Sequence, residues 1–126
     1  MIENTKQIAS YKELIVWQKS VELVEHIYHL TKKFPKEEVY GLVSQMRRAS
    51  VSIPSNIAEG RLRRSKKDFI QFLQIAFGSG AELETQIIIS KKLNYVQKEE
   101  CGHADDLLLE VMKMLNALIH SLQSKP

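Results

Sequence analysis

Apolar residues recur at helical spacing in four blocks along this chain, with short polar breaks between them. In the first block Leu14, Trp17, Val21, Val24 and Tyr28 are spaced 3, 4, 3 and 4, which puts them on one helix face. Val16, Leu23, Ile27, Leu30 and Phe34 form a second stripe beside it. Ser10 and Glu13 have capping-box spacing and place the helix start between Ser10 and Leu14. Phe34-Pro35 ends it, because proline disfavours helical geometry in the preceding residue.

The second block, from about Glu37 to Glu59, carries Val39, Leu42, Val43, Met46, Ala49, Ile53 and Ile57. Pro54 falls inside it and removes a backbone donor, so a kinked helix is predicted. Gly60 is placed to close the helix as its C′ residue. Ser65 then caps a third helix, with Asp68 three residues on. Phe69, Phe72, Leu73, Ala76, Gly80, Leu83, Ile87 and Ser90 trace its inner face, and the small residues at 78–81 suit a close helix approach. After a turn at 94–97, the fourth helix repeats the 3, 4, 3, 4 pattern at Leu108, Val111, Leu115, Leu118 and Leu122. The expected fold is all-α: one domain over 1–126, its ordered core about 11–124, forming an up-down-up-down four-helix bundle.

Composition narrows the chemistry. A single cysteine, Cys101, excludes an intramolecular disulfide and a cysteine zinc site. No apolar run nears the roughly 20 residues of a membrane span, and the N-terminus lacks a signal-peptide core. A cytoplasmic setting without membrane contact is expected.

The net charge is +3, but it is unevenly spread. Arg47, Arg48, Arg61, Arg63, Arg64, Lys66 and Lys67 are opposed by Glu59 alone between positions 47 and 67. Such a window attracts polyanions, although a solvated turn has the same composition. No aromatic residue is interleaved with these cations, which argues against base stacking.

Catalytic and metal patterns are weak. His26 and His29 neighbour Glu22 and Glu25, but the Glu-x-x-His pairs of di-iron bundles are absent. His103 and His120 have no matching carboxylate set in sequence, so neither metal nor cofactor is expected. Acidic neighbours discourage a Cys101 thiolate. Gly78-x-Gly80 lacks the third glycine and the preceding strand of a dinucleotide loop. Asp105, Asp106 and Glu110 fit a solvated face. An enzyme is not expected.

Residues 40–49, YGLVSQMRRA, lead into residues 52–60, SIPSNIAEG. Together with LIVWQK at 14–19 and the segments FLQIA and ELETQ of the third helix, they resemble the four-helix-bundle family first found encoded in intervening sequences of large-subunit (23S) ribosomal RNA genes. The resemblance spans about residues 11–122. It implies a left-handed bundle assembled into a homopentamer, and kinship with basic accessory proteins of diversity-generating retroelements, which associate with nucleic acid and a reverse transcriptase.

Pro54, Asn56, Glu59 and Gly60 belong to the quoted motif. Arg47, Arg48, Asn56 and Glu59 also admit a structural role, as a hydrogen-bond network between helices or subunits. Trp17, Tyr28, Ile88 and Ile89 are candidate oligomer contacts, because one bundle core cannot absorb Ile87, Ile88 and Ile89 together. The expected function is a non-enzymatic homo-oligomer that binds RNA or DNA through a repeated basic patch, possible partners including a nucleic-acid-processing protein. The alternative is a protein-interaction scaffold whose basic residues are structural or dock an acidic partner.

Overall fold

A computed structural model describes residues 9–124. Four α-helices follow a 3-10 turn at Ala9–Glu13: α1 (Ile15–Thr31), α2 (Leu42–Arg61), α3 (Lys66–Lys92) and α4 (Lys98–Gln123). Each packs on its neighbours in sequence and α4 closes back onto α1, whereas among the described residues the backbones of diagonal pairs stay apart. Three seams fix the directions. Met46 meets Ser90, and Ser52 meets Ser79, across α2 and α3. Lys91 meets Asp105 across α3 and α4, with Gly80 against Met112 further along. Lys19 meets Glu110 across α1 and α4, and Lys33, in the turn after α1, meets Glu100. In every seam one number rises as the other falls, so successive helices alternate in direction.

The core takes Val16, Leu23, Ile27 and Leu30 from α1, and Met46, Ile53 and Ile57 from α2. Leu73, Leu83 and Ile87 come from α3, and Leu107, Val111 and Leu115 from α4. The second apolar stripe of α1 is therefore the core stripe. The first lies to the side, with Leu14 and Trp17 partly buried against the core. Cys101 is fully buried within the core. Among the described residues no helix is long and apolar enough to cross a membrane.

Several boundaries differ from the sequence pattern. The α-helix of the first block begins only at Ile15, behind Leu14 in extended geometry with no side-chain cap. Residues 10 and 13 sit in the preceding 3-10 turn. The second block does not start helical at Glu37. A short 3-10 turn at Lys36–Glu38 precedes α2, and this change of phase leaves Val39 47% exposed instead of in the core. Glu38 still serves the helix start: its Oε1 accepts the Leu42 N–H at 3.1 Å. Pro54 lies within the continuous span of α2. Two residues on, the Asn56 amide donates to the Ser52 carbonyl at 2.8 Å and to Ser52 Oγ at 2.9 Å.

Gly60 does not act as a helix-ending C′ residue. It lies inside α2, buried, with no positive φ, and the helix is capped by Leu62. Its role is steric, because a Cβ there would stand 2.6 Å from Phe72 Cβ and 3.1 Å from Phe69 Cδ1. The left-handed turn appears elsewhere, at Asn94 (φ 62°). There the Tyr95 N–H reaches the Ser90 carbonyl and the Asn94 N–H reaches that of Lys91, a Schellman closure of α3. Ser65 caps α3 as its spacing predicts, accepting the Asp68 N–H at 3.1 Å.

The two glycine environments predict opposite signs. Glycine to alanine inside a helix ordinarily stabilises by about 1 kcal/mol. Gly78→Ala, facing open space, should gain up to that amount. Gly60→Ala should instead destabilise, because overpacking costs about 1–3 kcal/mol. Urea unfolding of the two variants checks this, and a stabilised Gly60→Ala would refute the close α2–α3 contact.

Candidate nucleic-acid interface

Helix geometry divides the basic window. Arg48 and Arg61 are thirteen residues apart on α2, which separates them by about 20 Å along the axis. The seven cations therefore form two groups at opposite ends of one helix, not one patch.

At the N-terminal end, Arg47 is engaged in structure. Its Nε donates to Thr31 Oγ1 at 2.9 Å, its Nη2 donates to the Tyr28 carbonyl at 3.3 Å, and its guanidinium lies 4.5 Å from the Tyr28 ring centroid. Planar guanidinium on an aromatic face, with two donors used, is a tie between α1 and α2. Arg48 is different: it is exposed and has no hydrogen bond or ion pair with another described residue.

Beside Arg48 stands Tyr40, 97% exposed. A surface pocket of about 490 Å³ brings Tyr40 and Arg48 together with Tyr28, Lys32 and Lys36. A second, of about 470 Å³, lies on the other flank of the Tyr40–Arg48 pair and is lined by Ser44, Gln45, Ser52, Ser79 and Glu82. No aromatic is interleaved with the cations in sequence, but the fold brings Tyr40, from outside the basic window, beside Arg48. Tyr40 precedes the helical part of its block, so its local stripe gave no sign that it would sit bare beside Arg48.

Glu38 holds this corner in place. Besides capping α2, it accepts a 2.8 Å hydrogen bond from Tyr95 Oη through Oε2. These bonds, Tyr95 first and Leu42 second, hold its carboxyl below the ordinary carboxylate range, while the same contact pushes the Tyr95 phenol up.

At the other end of α2, Arg61, Arg63, Arg64, Lys66 and Lys67 are all exposed. Arg63 is neutralised by Glu59, Nη2 to Oε2 at 2.8 Å, and lies 4.8 Å over the Phe72 ring. Glu59 thus pairs along its own helix, whereas Asn56 reaches α3 through Ser52 and the 2.8 Å Ser52–Ser79 contact. Arg61, Arg64 and Lys67 have no ion-pair or hydrogen-bond partner among the described residues.

The candidate oligomer contacts separate as well. Ile88 and Ile89 are 47% and 40% exposed on α3. Tyr28 is exposed beneath Arg47. Trp17 is partly buried, edge-to-face with Tyr11 at 5.5 Å, so much of its surface is already used within the chain. The Cys101 thiol is pushed up chiefly by burial, with Asp105 and Glu100 adding to the effect and Lys91 opposing it. The acidic neighbours named by the sequence are the smaller cause.

These features define a small antiparallel four-helix bundle with exposed, unneutralised cations at both ends of its second helix. The chain belongs to the 23S rRNA-intervening sequence protein family, which it matches over residues 12–117. It is also similar to a crystal structure of a protein with unknown function from the S23 ribosomal protein family of Bacteroides thetaiotaomicron. That similarity has a TM-score of 0.75 and 26% identity, covering 83% of this chain and 98% of the other. Comparison with curated proteins gives no match.

The Glu38 contacts predict a pH signature. A carboxylate whose folded pKa is lowered contributes stability that is complete at neutral pH and lost as pH falls through that pKa. Glu38→Gln should therefore lower the urea midpoint at pH 7, and its gap from the unsubstituted chain should close as pH falls through the lowered Glu38 pKa. A gap independent of pH would show that the charge on Glu38 contributes nothing.

Proposed function

We propose that this protein is a non-enzymatic homo-oligomer, assembled as a homopentamer, that binds RNA or DNA through cationic surface repeated around the ring. The observation that carries the reading is the set Arg48, Arg61, Arg64 and Lys67: exposed, and unpaired among the described residues. Cations of this kind are free to replace counterions on phosphates. Tyr40 adds a bare aromatic face beside Arg48, which suits stacking on an unpaired base. Ile88 and Ile89 supply apolar surface for self-association, and repetition of a weak contact raises avidity. The proposed reading includes a cytoplasmic setting.

Light scattering of the purified protein tests the assembly. A particle several times the 14.5 kDa chain mass is expected, and a 14.5 kDa species at micromolar concentration would refute it. Binding of a short structured RNA should weaken steeply with salt, each phosphate contact adding about 0.7–0.9 to the slope of log K against log salt. Charge reversal at Arg61, Arg64 and Lys67 together should remove most of that slope. Tyr40→Ala should weaken single-stranded RNA at least about fivefold, from the roughly 1–3 kcal/mol of a stacked base, and leave duplex binding little changed. An oligomer indifferent to nucleic acid at every salt concentration would favour the scaffold reading.

A further inference from the structure

The seam between α1 and α4 holds three polar rungs. Lys19 pairs with Glu110 at 3.2 Å, and Lys33 pairs with Glu100 at 2.8 Å. Between them lies a rung of another composition: Glu22 and His26 from α1 with His103 from α4. Glu22 Oε2 is 4.0 Å from His26 Nε2 and 3.9 Å from His103 Nε2, and the imidazole centroids are 4.3 Å apart. The flanking rungs each join a cation to an anion. The middle one has two imidazoles and a carboxylate, which in their neutral and ionised forms respectively all carry lone pairs able to bind a cation.

We propose that Glu22, His26 and His103 form a mononuclear site for a borderline divalent transition metal, Zn²⁺ being the representative case, that clamps α1 to α4. Three observations on the chain support it. One ligand atom from each residue can be chosen so that all three lie within 4.8 Å of one another. Metal–ligand bonds of about 2.0–2.2 Å in tetrahedral geometry place ligand atoms about 3.4 Å apart, so the site needs only a small inward turn of side chains. Those side chains are free to make it, being 37%, 50% and 67% exposed for His26, Glu22 and His103. The donor set is nitrogen-rich, which suits Zn²⁺, Ni²⁺ or Cu²⁺ and not Mg²⁺ or Ca²⁺. Water would complete the coordination on the solvent side.

Sequence spacing conceals the site. Glu22 and His26 are i and i+4, a common surface pair, and the third ligand is 77 residues away on another helix. The motif differs from a di-iron Glu-x-x-His pair, and it uses one carboxylate instead of four.

The test is titration calorimetry of Zn²⁺ into tag-free, chelator-treated full-length protein, with Mg²⁺ as the control cation. One Zn²⁺ per chain is expected, with no Mg²⁺ heat. His103→Ala and His26→Ala should each lose at least about tenfold in affinity, since even outer-shell partners of metal sites cost 10–100-fold. Glu22→Gln should weaken binding too. His29→Ala, an exposed imidazole of the same helix outside the cluster, should bind like the unsubstituted protein. Zn²⁺ should also raise the melting temperature by a few degrees through preferential binding to the folded state, and His103→Ala should abolish that rise. Absence of saturable Zn²⁺ binding, or equal binding by His103→Ala, would overturn the proposal.

Discussion

The bundle depends on how closely α2 can approach α3, and that approach rests on Gly60. With hydrogen in place of a side chain, Gly60 admits Phe72 and Phe69 to the surface of α2. The two helices are joined by only four residues, 62–65, so this contact comes immediately before and after the connection. A hairpin of helices clamped at its bend has little freedom in crossing angle. The rest of the seam then follows, with Ser52 meeting Ser79 and Ser90 reaching Met46. The turn carrying Arg61 and Arg64 is consequently mounted on a rigid corner. Gly80 faces α4 less strictly, because an added Cβ there would meet only the flexible side chain of Met112.

Long helices were legible in the sequence because burial imposes a 3.6-residue period on many positions at once. The family was legible because its motif runs through α2 and includes Pro54, Asn56 and Gly60. Single positions were less legible. Gly60 sits two residues before the helix cap, where glycine serves either to terminate or to pack, and local sequence contains nothing to separate the two. Val39 fits the α2 stripe by spacing, yet the 3-10 turn before it changes the phase and turns it outward. Tyr40 and the Glu22–His26–His103 cluster depend on elements that meet only in three dimensions. Periodicity reports which face of a helix is buried. It carries no information about which polar side chains from two helices share the same water.

Charge is arranged differently on the two sides of the molecule. On the α1–α4 side each lysine of the outer rungs faces a glutamate, and Lys91 with Asp105 continues the pattern on α3 and α4. The Asp105 contact raises the Lys91 pKa, while the Gln97 N–H and Lys33 lower that of Glu100. Exposed pairs of this kind contribute little individually to stability, about 0–1 kcal/mol. Their effect is on the field: positive and negative potentials cancel within a few ångströms.

Around α2 the cancellation stops. Glu59 answers Arg63 and Tyr28 receives Arg47, but Arg48, Arg61 and Arg64 project outward without a described partner. Lysine and arginine on a surface need no functional explanation when acids surround them. Here the acids are concentrated elsewhere: the window from 47 to 67 is net +6, so the remainder of a +3 chain is net negative. Neutralised seams let helices pack without long-range repulsion, whereas an unneutralised face attracts whatever carries negative charge in regular array. In a ring of identical chains the same segregation would repeat with the symmetry. Cations brought together in that way repel one another unless a polyanion lies among them, so under the proposed reading a bound polyanion would also favour the assembly.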